Sequence, residues 1–395
     1  MHRLSTISYD SFGEEDDADG IFLKRSPTLT KQNWSLQSYL KVGFSGEWAF
    51  GNVQIDERTL TASVSSQPRY VEMNQSYGNS VEEQLNLKKI KMCEVISDEN
   101  RIGNHDPPSP ASPIIVITYV DKSLYLMPEG GLSECKHIEM WIEGGRAANA
   151  NTLEDQQLTR NDIPVIVDKC LKSTATHGCL TEGIYRIAGI NSRILALTEE
   201  FRRNSWAVQL NNNQYSEHDV ANTLKRFFRH LEDPLLTKDL RSLWIEASNI
   251  DDNDHKLDLY RNLLKELPKL NYLTLRRLIL HLRTVSEQHE HNKMPVTNLA
   301  TLWGPTILTT DNIRDECSSD WTSESNVIGI LIENFLDLFD LDEEEIKKDQ
   351  ELLQIALDDL ENETYTEQDS NAPKIPKVPN CRSGDIKVMI LQCEL

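Results

Sequence analysis

The apolar positions of this chain change their period along its length. Residues 1–33 show no period; they are acidic and contain Ser and Thr, so a disordered segment is expected there. Over 35–148 the spacing is that of strands. Tyr39–Gly43, Val53–Ile55, Leu60–Val64, the β-branched run Ile114–Val120 and Leu124–Met127 predict strands, with Asp121, Lys122 and Ser123 turning between the last two. Gly103–Pro113 carries four prolines and predicts a loop insertion. Glu134–Glu143 predicts a helix with Cys135, Ile138, Trp141 and Ile142 on one side. Residues 144–161, rich in Gly and Asn, read as a linker.

From Ile163 the period turns helical. A first helix starts behind Asn161 and Asp162 and ends at Thr176-His177-Gly178; a second spans Ser192–Arg203 with Ile194, Leu195, Leu197 and Phe201 apolar. The run Asn211–Asn213 reads as a loop. Ser216 then has the place of an N-cap, with Asp219 in the capping-box position. Val220, Leu224, Phe227, Phe228 and Leu231 follow as an apolar stripe. Lys225 and Arg229, four residues apart, neighbour each other beside that stripe. Further helices fit 239–247, 254–266 and 273–288, the last with Leu275, Leu278, Ile279 and Leu282 inward. Val296–Trp303 reads as a short helix closed by Gly304-Pro305, and Val327, Leu331, Phe335, Leu338 and Phe339 as one more amphipathic helix. The expected architecture is multidomain: a β-rich unit over 35–148, an all-α domain over 160–341, an acidic helix and linker over 342–383, and one strand within 384–395. One strand does not make a domain alone.

Charge and cysteines narrow the chemistry. The 395 residues carry a net charge of −22, yet 337–369 alone hold 14 acidic residues against Lys347 and Lys348. Most of the imbalance is one solvated segment, and an acidic chain of this kind is a poor match for nucleic acid. Seven scattered cysteines without a C-x-x-C pair argue for a reducing compartment, against a disulfide framework and against a zinc site. The cytoplasm, with recruitment to membranes as an option, is the expected location. No cofactor or metal is expected, and without G-x-x-x-x-G-K-[ST] the chain has no P-loop of its own.

Candidate chemistry centres on Gly183-Ile184-Tyr185-Arg186-Ile187-Ala188-Gly189. A glycine permits positive φ or the close approach of another backbone, so two of them bracket a tight turn. The arginine between apolar neighbours brings a fixed charge and a planar fork suited to phosphate. Alone, such a stretch also fits a surface turn with an ordinary salt bridge.

Three stretches together carry a family resemblance. Glu182–Arg186, Leu224–Leu236 (Leu-Lys-Arg-Phe-Phe-Arg-His-Leu-Glu-Asp-Pro-Leu-Leu) and Asn298–Pro305 resemble, in order and at domain-wide spacing, motifs of the RhoGAP domain. Ile163–Cys170 and Trp244–Ser248 look closest to the branch of multidomain proteins with ArfGAP, RhoGAP, ankyrin-repeat and PH domains. The strands over 35–148 with their closing helix resemble a PH domain, a β-barrel or sandwich with a C-terminal helix. Residues 384–395 would then begin a Ras-associating-like domain. The resemblance implies a GTPase-activating protein for Rho-type small GTPases in the GTP-bound state, with Arg186 as the arginine finger. By the same resemblance Lys225, Arg229, Asn298 and Pro234 fall on partner-binding positions, with Lys225 and Arg229 also holding the loop of Arg186 and Pro234 shaping the loop after its helix. The alternative is a GTPase-binding scaffold or adaptor with little activity. Around the first β-hairpin only Lys41 is basic before Arg58, with Glu47 between them, so a phosphoinositide would find little charge and a protein-contact role is expected for the β-rich unit.

Overall fold

The computed structural model describes residues 34–42, 48–56, 58–64, 82–97, 112–148, 151–210, 214–309 and 321–339, together with 347, 351 and 354. The expectations for 1–33, for most of Gly103–Pro113, for Asn211–Asn213, for most of 342–383 and for 384–395 lie outside these residues. So do the side chains of Lys41 and Glu47.

Among the described residues, seven antiparallel strands form the β-rich unit: β1 (Trp34–Val42), β2 (Ala49–Ile55), β3 (Thr59–Val64), β4 (Glu82–Asn86), β5 (Met92–Ile96), β6 (Ile114–Thr118) and β7 (Ser123–Pro128). Their order in the sheet is β4-β3-β2-β1-β7-β6-β5, so the long first strand joins a four-stranded meander to a three-stranded one. Alternate residues point to one core: Val53 and Ile55, Leu60 and Ala62, Ile115 and Ile117, Leu124 and Leu126. Helix α1 (Gly131–Arg146) closes that core with Cys135, Ile138 and Ile142, while Trp141 is only partly buried. Strand β4 is not legible because Glu-Glu-Gln-Leu-Asn offers a single apolar residue, Leu85, to the core; β5, Met-Cys-Glu-Val-Ile, is missed although Cys93 and Ile96 are buried.

The helical unit comprises α2 (Val165–Ser173), α3 (Asn191–Asn204), α4 (Glu217–Arg229), α5 (Arg241–Ser248), α6 (Asn253–Glu266), α7 (Lys269–Glu287), α8 (His289–Asn292), α9 (Val296–Ile307), α10 (Trp321–Glu333) and α11 (Phe335–Leu338). Helix α4 has the expected capping box: Ser216 Oγ accepts from Asp219 N, and Asp219 Oδ2 accepts from Ser216 N. Its Val220, Leu224 and Phe228 are buried, which stabilises by roughly 1.5–3 kcal/mol for each such side chain. On α3, Leu195 faces outward, contrary to expectation, with Ile194, Leu197 and Phe201 inward.

Helix α2 ends where expected, with Thr174–Gly178 closing it as a wider, π-type turn. Two further expectations fail for identifiable reasons. The linker over 144–161 is instead packed structure from 151: Leu153, Gln156, Gln157 and Leu158 are buried, and Leu158 N donates to Lys88 O of the β-rich unit at 2.8 Å. Helix α9 runs through Gly304-Pro305 to Ile307. Proline removes one helical donor, and packing outweighs that loss here. A Cβ on Gly304 would lie 2.7 Å from the Glu324 carbonyl carbon and oxygen, so α9 and α10 cross backbone to backbone at this glycine. Gly304→Ala should therefore cost about 1–3 kcal/mol in chemical denaturation. Gly329→Ala, whose new methyl meets only Ala300 Cβ at 3.9 Å, should stabilise by about 1 kcal/mol, the usual helical gain.

Candidate functional site: the loop 183–190

The loop that carries Arg186 is fixed at its backbone and free at its side chain. Gly183 takes φ +70° and Tyr185, unusually for a bulky residue, φ +66°. The left-handed turn costs Tyr185 about 1–2 kcal/mol. Burial offsets this: its ring is fully enclosed, edge-on to Trp303 at 5.1 Å and to His281 at 5.9 Å between centroids. Tyr185 Oη and His281 Nε2 lie 2.7 Å apart. Burial, then the nearby Arg277 charge, pull the His281 imidazole down to about 3, so it stays neutral at physiological pH.

Gly189 acts differently from Gly183. A Cβ there would come 2.6–2.9 Å from Asp219 Oδ1, Cα and N, so this glycine lets the loop lie directly on the start of α4.

Side chains of α4 grip the loop at successive points. Asp219 Oδ1 accepts from Ile190 N at 2.7 Å; Asn222 Nδ2 donates to Ile187 O at 2.9 Å; Lys225 Nζ donates to Tyr185 O at 2.9 Å. Positions 219, 222 and 225 are three apart, hence on one face of the helix. From the other side Gly183 N donates to Asn292 O at 2.7 Å. The fully buried Asn292 side chain in turn donates to Cys179 O and Val285 O and accepts from Met294 N. Within the loop, Arg186 N and Ile187 N both donate to Gly183 O at 2.8 Å.

Arg186 itself is exposed, and none of the described hydrogen bonds or ion pairs involves its guanidinium. Ile187 (43% exposed) and Ile190 (52%) flank it, so a fixed cation stands among uncovered apolar side chains.

The remaining sequence candidates separate. Lys225, expected on the helix surface, is buried, with its ammonium on the loop. Burial, then the Arg229 charge, pull its pKa down to about 8. Between pH 8 and about 10.4 the unfolded chain keeps a proton that the folded chain has released, so stability rises with pH across that window. Denaturation at pH 7 and pH 10 should show wild type gaining on the order of 2–3 kcal/mol relative to Lys225→Met. Arg229 is half-buried one turn further along the same face. Asn298, in the first turn of α9, donates from Nδ2 to Lys293 O at 3.1 Å, next to the Asn292 that holds Gly183. Pro234 is buried in the turn after α4, where its carbonyl accepts from Thr237 N at 2.9 Å; the structure does not bring it to the exposed face of the loop.

Sequence reasoning missed Asn292, Asn222 and His281 and read Asp219 as a cap alone. The polar series 219, 222, 225, 229 at helical spacing was a usable signal. Asn292 had none, in a polar stretch that reads as loop.

Residues 164–312 match the family model described as the RhoGAP domain. The human Arf-GAP with Rho-GAP domain, ANK repeat and PH domain-containing protein 3 is 32% identical over 302 residues, covering 73% of this chain and 18% of that protein. The probable Rho-GTPase-activating protein 7 of Schizosaccharomyces pombe is 35% identical over 185 residues, 46% of this chain and 26% of the relative. Rho GTPase-activating protein 21 of Xenopus tropicalis is 38% identical over 149 residues, 38% of this chain and 8% of the relative. The chain thus spans about a fifth of the human relative's length. Within the helical unit, residues 164–312 are a RhoGAP domain.

Proposed function

We propose that this chain is a GTPase-activating protein for Rho-type small GTPases, and that Arg186 is its arginine finger. The observation that carries the reading is the contrast between the loop's clamped backbone and the unengaged guanidinium it presents. GTP hydrolysis by such a partner is slow because charge developing on the transferring phosphoryl is incompletely stabilised. The clamped backbone fixes where the arginine is offered, so only its side chain has to be ordered by the partner as that charge develops. The effect expected of a finger supplied in trans is about 10³–10⁵ in rate, or roughly 4–7 kcal/mol. Ile187 and Ile190 supply apolar contact around the finger, and Arg229 and Asn298 are assigned as further partner contacts. Lys225 works from within, holding the carbonyl next to Arg186. The hydrolysed bond belongs to the GTP-bound partner, so we class the chain as an activator rather than a self-contained enzyme.

The strand order and closing helix of the β-rich unit support a PH-like barrel, as does a relative whose name includes PH domains and whose match extends beyond the helical unit. We assign it a protein-contact role and place the protein in the cytoplasm, in keeping with its unpatterned cysteines.

The test is GTP hydrolysis by a panel of Rho-type GTPases with catalytic amounts of the full chain. Acceleration of at least one supports the proposal. Tight binding of GTP-loaded partner with hydrolysis left at the intrinsic rate would make the chain a scaffold instead.

A further inference from the structure

A second concentration of positive charge lies where the β-rich and helical units meet. Lys88 bridges them, with Nζ 2.7 Å from both Asp155 Oδ1 and Ala147 O, and the buried Arg146, paired with Glu143 at 2.6 Å, donates to Lys91 O and to Asn204 Oδ1 of α3; these two cations are already balanced by carboxylates. Beside this junction is a cleft of about 280 Å³. Lys91, Arg160, Lys172 and Arg277 line it, with Trp206 as an aromatic wall. These cations come from four separate segments: the turn before β5, the 151–164 segment, α2 and α7. Among the described residues the one carboxylate in the lining, Asp168, already pairs with Lys172 at 2.7 Å. Lys91 lies over the Trp206 ring, 5.1 Å from its centroid, and Arg277 is 4% exposed.

Cations gathered in a partly enclosed space repel one another, and a cleft lined by one sign of charge raises the local concentration of counter-ions. In a chain of net charge −22 this gathering does not follow from composition. The arginine forks suit phosphate oxygens and the lysines add point charges. The volume falls just below the range of drug-sized pockets, which limits the occupant to one small molecule. We propose that this cleft binds a small phosphate-bearing anion, which ties Lys91 of the β-rich unit to Arg160, Lys172 and Arg277 of the helical unit. The site is distinct from the loop 183–190, and its ligand fastens the two units to each other.

The same phosphate chemistry could be presented by a soluble molecule or by a lipid headgroup. Titration calorimetry of the full chain with inorganic pyrophosphate at 150 mM salt is expected to give saturable binding. The double variant Arg160→Glu, Lys172→Glu, confined to partly or fully exposed positions, should weaken it at least tenfold. A control pair on exposed lysines elsewhere, Lys238→Glu and Lys265→Glu, should leave it unchanged. Pyrophosphate should also raise the melting temperature of wild type and of the control pair but not of the double variant. Absence of saturable binding, or equal weakening in both pairs, would overturn the site. Sedimentation with vesicles containing phosphatidylinositol 4,5-bisphosphate separates the sources. Retention that the double variant abolishes supports the site with a headgroup as its anion. Variant-sensitive pyrophosphate binding without retention supports it with a soluble one.

Discussion

Arg186→Ala is expected to remove about 10³–10⁵ of the acceleration of GTP hydrolysis, returning the partner to within a few-fold of its intrinsic rate. The loop should keep its shape, because its anchors are the backbone groups of Gly183, Tyr185, Ile187 and Ile190, and none of them is lost with the guanidinium. Melting temperature should move by no more than about 2 °C, as for a surface substitution. Affinity for GTP-loaded partner should fall little, because the apolar contact of Ile187 and Ile190 remains. Arg186→Lys should fail nearly as badly, since an ammonium cannot present the planar two-donor fork. Single-turnover hydrolysis with each variant in excess separates turnover from binding; a fully active alanine variant would remove Arg186 from the mechanism.

Asp219→Ala should have the largest effect on stability. Its carboxylate is fully buried and accepts from the backbone of Ser216 and of Ile190, with the Arg193 guanidinium 3.6 Å away. Burial alone would raise its pKa, but these hydrogen bonds and the arginine outweigh it and hold the group below the usual carboxylate value. A carboxylate with a depressed folded pKa contributes stability above its unfolded pKa, near 3.9, and that contribution fades as pH falls through the folded value. Alanine removes half of the capping box, worth about 1 kcal/mol, and leaves the Ile190 amide without its acceptor, worth about 1–3 kcal/mol. The expected total is about 2–4 kcal/mol in denaturation at pH 7. Activity should drop as well, because the loop loses its hold on the start of α4. Asp219→Asn keeps an acceptor and should recover part of both losses. Unchanged stability in the alanine variant would contradict the clamp.

What the sequence made legible was local. Ser216 and Asp219 three residues apart, and the stripe Val220, Leu224, Phe228, depend on contacts within one helix, so spacing alone revealed them. The two loop glycines were legible as permission for positive φ or for close approach; the fold uses one for each, Gly183 and Gly189. What escaped was decided by distant segments. Helix α9 continues past Pro305 where α10 packs against Gly304 through Glu324, twenty residues further along the chain. Residues 151–158 look like linker because only Leu153 and Leu158 are apolar; their burial comes from surfaces of two other units. Lys225 was legible, through the family resemblance, as a holder of the Arg186 loop, but its burial was not; Asn292 becomes a pillar only through bonds to Cys179 and Gly183.

The central claim is that Arg186 serves the transition state of a partner's reaction and contributes little to ground-state binding. A transition-state analogue of phosphoryl transfer should bind far more tightly than a substrate analogue only when that contact is present. The decisive measurement is the affinity of the full chain and of Arg186→Ala for a Rho-type GTPase carrying either GDP with aluminium fluoride or a non-hydrolysable GTP analogue. The account predicts that wild type prefers the aluminium fluoride complex by at least a hundredfold and that the alanine variant loses the preference while keeping its affinity for the GTP-analogue form. Equal preference in the two proteins would contradict it.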